Sequence, residues 1–305
     1  MDSARHILFG GIAALLCLCS CTGQASKQAV KRDFPMPKIP AVVDEADRVE
    51  YVTEHYWDGY IKDAAGIDSL TLEQAVANYA VLLGSRPIET GSRIAMTLGL
   101  KLSASWSADS SAVAVKVLPD VLERYFYDPN SPLRDEDLWG PMALGLSRCG
   151  YFSDAKRSSL ENTAARCSLN SRGSIAADFV FLDSRARRHT LHGIKAQRTV
   201  LFFSNPGCKA CKEIIDALSG TPQIASRIAD GSIAVLNIYI DEDLAAWRDY
   251  MSIYPKDWHN GFDPDGVIRS DELYCVRAIP SLYLLDASKK VLLKDAPLEK
   301  LISNL

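Results

Sequence analysis

Cys208 and Cys211, separated by Lys209 and Ala210, are the residues of this chain whose type and spacing most directly imply chemistry. Two thiols at this spacing can carry two electrons by opening and closing a disulfide. They can also form a structural bridge or half of a metal site. The surroundings separate these uses. The apolar run Thr199-Val-Leu-Phe-Phe203 and the turn Ser204-Asn-Pro-Gly207 precede the pair, and Lys212 to Leu218 follows with helical periodicity. The cysteines therefore sit where a buried strand turns into a helix. A thiol at a helix N-terminus faces unpaired N–H groups and the positive end of the helix dipole. Its thiolate, the reactive form, is stabilised there. Cys211, Ile214, Ile215 and Leu218 share one helical face, which makes Cys211 the buried, resolving thiol and Cys208 the exposed, attacking one.

The rest of the chain bounds where such chemistry operates. A net charge of −4 over 305 residues leaves no basic footprint for nucleic acid. After Arg5 and His6, the apolar stretch Ile7 to Cys19 is too short to span a bilayer comfortably and fits the core of a signal peptide over residues 1–20. It ends in Leu18-Cys19-Ser20-Cys21, which resembles a bacterial lipoprotein box. On that reading Cys21 becomes the first mature residue and carries lipid; ordinary signal cleavage nearby and an uncleaved anchor are the alternatives. Residues 21–41, with Lys27, Lys31, Arg32 and prolines at 35, 37 and 40, read as a tether. The expected location is the cell envelope, lipid-anchored and facing the periplasm, on the outer membrane, where disulfides persist. With Cys21 lipidated, the remaining cysteines are 149, 167, 208, 211 and 275. That odd count suits a working pair better than a stapled scaffold.

Two halves differ in periodicity. Residues 42–170 read as helical. Val49, Val52 and Tyr56 fall at helical spacing, and Thr71-Leu-Glu-Gln74 resembles a capping box. It opens a helix with Leu72, Ala75, Val76, Tyr79, Leu82 and Leu83 on one face. Val117, Leu118, Val121, Leu122 and Tyr125 form a second stripe, stopped by Asp128-Pro-Asn-Ser-Pro132. Asp135-Glu-Asp137 then fills the first turn of another helix as a charge cluster, and Leu138, Trp139, Met142 and Leu146 form its buried face. Tyr56 and Trp57 are expected in the core. From 171 to 305 the pattern alternates. Strands are expected at Phe179 to Leu182, Val200 to Phe203, Ile233 to Ile240 and Ser281 to Leu285, the last paired with Lys289 to Leu293. A helix is expected at Leu244 to Tyr254 and a short one at Pro297 to Leu305. This is an α/β domain with a mixed sheet flanked by helices, preceded by an all-α N-terminal domain.

Three segments in order carry a family resemblance. Ala177-Asp-Phe-Val-Phe-Leu-Asp183, Leu201-Phe-Phe-Ser-Asn-Pro-Gly-Cys-Lys-Ala-Cys211 and Val276-Arg-Ala-Ile-Pro-Ser-Leu-Tyr-Leu-Leu-Asp286 together resemble a thioredoxin-like module of the TlpA and ResA type. The resemblance implies a thioredoxin fold over residues 171–305, thiol–disulfide oxidoreductase activity, a redox-active Cys208–Cys211 disulfide and a cis peptide before Pro280. Pro280, which offers no N–H, would lie beside the pair, leaving the backbone of Ile279 to an extended substrate chain. It implies no cofactor and no metal, and partners that are periplasmic protein disulfides or an upstream dithiol donor. It also leaves room for an insertion near Trp258 to Asp265, where Trp258, His259 and Asn260 read as loop packing, with a place at the border of the substrate groove as the alternative. The first half, through His55-Tyr-Trp-Asp58 and Tyr127-Asp-Pro-Asn-Ser-Pro-Leu-Arg134, is similar to a helical domain of unknown function that precedes such modules.

The chain departs from thioredoxin at several points. Lys-Ala replaces Gly-Pro between the cysteines, Gly207 replaces the preceding tryptophan, and Phe202 stands where the family keeps a buried acid. Lys209 is expected to place a positive charge beside the thiolate. The poise and the direction, reductive or oxidative, stay open between these opposing changes, with reduction favoured. Two rival readings use the same residues: a zinc site adding Cys149 or Cys167 to the pair, and a partner-binding module without turnover. The leading reading leaves Cys149 and Cys167 unbridged, with a structural disulfide between them as the alternative, and takes Cys275 as a small buried residue rather than a third redox partner.

Overall fold

The computed structural model describes residues 32–305. The expected signal peptide, the expected lipid acceptor Cys21 and the first part of the expected tether lie outside the described residues. The described end of the segment expected as tether is docked on the helical half. Phe34 stacks on Tyr56 with ring centroids 5.0 Å apart and meets Trp57 edge-on at 5.2 Å, and Arg32 donates to Asp63 Oδ2 at 2.5 Å. An aromatic side chain that can bury against two others is enough to dock this segment.

Seven α-helices form the first half among the described residues: α1 (Arg48–His55), α2 (Asp58–Lys62), α3 (Ser69–Gly84), α4 (Ile88–Ala108), α5 (Val113–Phe126), α6 (Glu136–Leu146) and α7 (Asp154–Cys167). Their apolar faces meet in one core containing Tyr56, Trp57, Tyr79, Leu122, Phe126 and Trp139. The α3 boundary departs from the sequence reading. Asp68, not Thr71, is the N-cap, its carboxylate accepting from the Thr71 N–H at 2.7 Å. An aspartate three residues upstream caps that donor, and the helix begins one turn earlier. Helices α4 and α6 cross in backbone contact because Gly99 and Gly145 face each other: a Cβ on Gly145 would lie 2.6 Å from the Met96 carbonyl oxygen.

The second half is a seven-stranded mixed sheet: β1 (Val180–Asp183), β2 (Arg188–Thr190), β3 (Arg198–Phe203), β4 (Ile233–Tyr239), β5 (His259–Phe262), β6 (Ser281–Asp286) and β7 (Val291–Leu293). The spatial order is β2-β1-β5-β4-β3-β6-β7. Strands β3, β4 and β5 run parallel, and the outer pairings are antiparallel. Five helices complete this half: α8 (Lys209–Gly220), α9 (Pro222–Ala229), α10 (Leu244–Tyr250), α11 (Val267–Ser270) and α12 (Leu298–Ile302). Two expectations change here. Helix α10 stops at Tyr250, four residues short of its apolar pattern, and Tyr250 and Tyr254 instead pack edge to face at 5.2 Å. The Trp258–Asp265 segment is not a loop insertion: His259–Phe262 adds a strand between β4 and β1. Its sequence, His-Asn-Gly-Phe, has no apolar alternation. Gly261 is required because a Cβ there would lie 2.5 Å from the Phe181 ring.

The two halves meet through buried charge. Asp135, Glu136 and Asp137, expected as a first-turn charge cluster, do sit at the start of α6 and are all buried. Arg172 donates to Asp135 at 2.6 and 2.8 Å and to Asp137 at 2.9 Å. Glu136 accepts from Arg277 at 2.6 Å and pairs with Lys294 at 3.1 Å. The acids do sit at a helix N-terminus as their sign suggests, but the cations that justify their burial come from the sheet domain.

Candidate functional site

Cys208 and Cys211 are joined in a disulfide with Cα atoms 5.2 Å apart. Cys208 is the N-cap of α8, and its Sγ accepts from the Cys211 N–H at 3.1 Å. A sulfur held this way already contacts the donor end of the helix, which stabilises negative charge on it once the bridge opens. The residue before it explains the loss of the family's tryptophan: Gly207 has φ +72°, a left-handed conformation that a bulky side chain disfavours. Cys211 is buried on the apolar face of α8 with Ile214, Ile215 and Leu218, against Phe202. Cys208 is only partly covered. The two sulfurs differ in burial in the expected sense, Cys208 being the more accessible.

The Ile279–Pro280 peptide is cis. Because Ser281 pairs with Phe203 across β3 and β6, the Ile279–Pro280 edge lies beside the turn that leads into Cys208. Ile279 packs partly against the core that holds Cys211, and neither of its backbone groups enters a hydrogen bond among the described residues. An extended chain can therefore pair with it next to the sulfurs.

Lys209 does not do what its position in sequence suggests. Its side chain is 93% exposed and lies 3.9 Å from Glu213, one turn along the helix. Solvent and that carboxylate screen its charge, so the helix N-terminus is the main electrostatic influence on the pair.

Beneath Cys211, the place of the family's buried acid is filled by Phe202, and beside it runs a neutral polar network. Phe202, Asn237 and Asn260 stand in register on three adjacent strands. Ser204 Oγ donates to Asn237 Oδ1 at 2.5 Å, Asn237 donates to Asn260 Oδ1 at 3.0 Å, and Asn260 donates to the Pro255 carbonyl at 2.8 Å. The Tyr254 hydroxyl is 3.5 Å from Ser204 Oγ. Burial pushes that phenol above its ordinary range, so the network holds no group that takes up a proton near neutrality as a carboxylate would. Asn260, read from sequence as loop packing, belongs to this network.

The remaining cysteines are free and buried. No Cys149–Cys167 bridge forms, and neither residue joins the α8 pair. Among the described residues, no group of three or more His, Cys, Asp or Glu side chains is placed to hold a metal ion. Burial, with Glu136 nearby, pushes the Cys275 thiol up to about 11. No helix among the described residues is long and apolar enough to cross a membrane.

Arg277, three residues before Pro280, is the site residue that sequence reasoning missed. Its guanidinium is 9% exposed and reaches Glu136, Asp295 at 3.2 Å, the Tyr127 carbonyl and the face of the Tyr127 ring, 4.0 Å from the centroid. An arginine beside the Ile-Pro dipeptide was a visible signal; its partners, 141 and 150 residues upstream, were not.

The chain is similar to known proteins in both halves. A family model described as a domain of unknown function, DUF5106, matches residues 19–163. A search of curated proteins found no match. The crystal structure of a thioredoxin-like protein from Bacteroides caccae is 31% identical over 90% of this chain and 98% of that one, with a TM-score of 0.76. The C-terminal domain of an uncharacterized protein from Bacteroides fragilis is 42% identical over 45% of this chain and 99% of its own, with a TM-score of 0.44. The strand–turn–helix that presents two bonded sulfurs, the cis Ile-Pro edge beside it and the full-length likeness to the Bacteroides caccae protein together establish that this chain belongs to the thioredoxin-like family.

Proposed function

We propose that the chain is a thiol–disulfide oxidoreductase of the cell envelope that reduces disulfides in substrate proteins. The observation that carries this reading is a partly exposed sulfur, Cys208, capping α8 and bonded to a buried one, Cys211, one turn later. In the dithiol form, the Cys208 thiolate attacks one sulfur of a substrate disulfide. An enzyme–substrate mixed disulfide forms, and the departing substrate sulfur takes a proton. Cys211 then gives its proton to solvent and attacks Cys208 Sγ, which breaks the mixed disulfide and releases the second substrate thiol. Two electrons pass from the dithiol to the substrate, and the enzyme is left with the Cys208–Cys211 bridge. An upstream dithiol donor must reopen it. With Phe202 in place of a buried acid, the proton on Cys211 leaves without a fixed internal base, and the backbone of Ile279 aligns the substrate chain. No cofactor enters the cycle.

Lipid on Cys21 would hold the protein at the outer membrane with this site facing periplasmic substrates; loss of membrane association in Cys21→Ser tests that part separately. The test of the chemistry is turnover of insulin disulfides with dithiothreitol as electron source. Cys208→Ser is expected to abolish it, and Cys211→Ser to accumulate mixed disulfides visible on non-reducing gels. Undiminished turnover by Cys208→Ser would end the proposal.

A further inference from the structure

The helical domain reaches the substrate-binding edge of the site through a continuous run of buried side chains. Glu136, at the first turn of α6, accepts from Arg277 Nε at 2.6 Å. Arg277 Nη2 donates to Asp295 Oδ2 at 3.2 Å, and the other oxygen of Asp295 accepts from Ser281 Oγ at 2.8 Å. Arg277 and Ser281 bracket Ile279 and Pro280 in sequence, so both flanks of that dipeptide are fastened to one network. The anchor lies in the other domain. Tyr127, which follows α5, supplies its ring face and its carbonyl oxygen to the same guanidinium. All four charged or polar members are substantially buried, with Glu136 and Arg277 side chains at 1% and 9% exposure. Buried, paired charges of this kind resist rearrangement, because displacing any member leaves a buried charge with fewer partners.

We infer that Glu136 and Tyr127 are positioning residues for substrate: the helical domain fixes the Ile279–Pro280 edge on which a protein disulfide docks, and the two sulfurs do not depend on it. This rests on the oxidoreductase reading above. The separation follows from the layout. The Cys208–Cys211 pair is set by α8 and its own sheet core, whereas the Ile279–Pro280 loop is tied across the domain boundary. Loosening the tie should weaken binding of an extended chain while leaving the intrinsic exchange chemistry intact, which in kinetic form is a raised KM with kcat retained.

The experiment uses the full chain and two probes, oxidised insulin and the small disulfide dithionitrobenzoate. Glu136→Gln keeps the shape and removes the charge, and Tyr127→Leu removes the ring beneath Arg277 without touching a buried charge. Both are expected to raise KM for insulin about tenfold, equivalent to about 1.4 kcal/mol of binding. The dithionitrobenzoate rate and the reduction potential against glutathione should stay at wild-type values. Tyr127→Phe, which keeps the ring, should keep the wild-type KM. Unchanged insulin KM in Tyr127→Leu overturns the inference even if Glu136→Gln fails to fold. So does a parallel fall in the dithionitrobenzoate rate, which would mark general damage. Failure of the wild-type protein to turn over either probe would instead strike the oxidoreductase reading itself.

Discussion

Replacing Arg277 by alanine tests how strongly the two halves are joined. The guanidinium compensates Glu136 and Asp295, side chains with 1% and 10% exposure. Breaking a buried pair by removing one partner costs about 3–5 kcal/mol. Here each carboxylate keeps a second cation: Lys294 lies 3.1 Å from Glu136 and Arg134 lies 3.3 Å from Asp295. That places the electrostatic loss near the lower limit, about 3 kcal/mol. Losing the stack on Tyr127 adds about 0.5–1 kcal/mol. The assay is urea denaturation of the disulfide-intact protein. Trp57, Trp106 and Trp139 report on the helical half, and Trp247 and Trp258 on the sheet half, so fluorescence with selective Trp→Phe changes follows each domain. Arg277→Ala should lower stability by roughly 3–4 kcal/mol on this reasoning and separate a shared transition into two. Arg185→Ala, on the exposed β1–β2 turn, should change little. A loss under about 1 kcal/mol for Arg277→Ala, the scale of an exposed ion pair, would refute the claim that this network joins the domains.

Two further outcomes follow from the same region. Burial, with Glu136 beside it, holds the Asp295 carboxyl above the usual carboxylate range. A raised folded value means this site's contribution is complete below the unfolded carboxyl value of about 4 and is lost as pH rises through the folded one. The stability advantage of wild type over Asp295→Asn should therefore shrink as pH rises from about 4 towards neutrality, and denaturation curves showing the opposite slope would contradict the assignment. Cys275, buried and with its thiol pushed up to about 11, should resist iodoacetamide at neutral pH in the reduced, folded protein while Cys208 is alkylated; comparable labelling of both in a mass-spectrometric time course would exclude an inert Cys275.

The legibility of this chain divides along the range of the interactions. Cys208 and Cys211 could be placed from sequence because everything that defines them is local: an apolar strand, a turn ending in Gly207, and a helix whose face carries Cys211, Ile214, Ile215 and Leu218. The helical faces of the first half were legible for the same reason, since Leu72, Val76, Tyr79 and Leu83 repeat at the helical period and are buried. Strand β5 escaped notice because His259-Asn-Gly-Phe262 is held by backbone pairing with β4 and β1 and by a side-chain network, neither of which leaves a hydrophobic pattern. Asp135-Glu-Asp137 is legible only in part, for a different reason. Its local signal, acids at a helix start, was correct, but local signals cannot report burial that depends on Arg172, Arg277 and Lys294 from a separate domain. Lys209 errs in the opposite sense: adjacent to the sulfur in sequence, it points into solvent and pairs with Glu213. The residues that build the sulfur chemistry are thus neighbours along the chain, and those that orient the Ile279–Pro280 edge come from across it. That difference explains why the sulfur pair can be read from a short motif, while the fastening of the Ile279–Pro280 edge cannot.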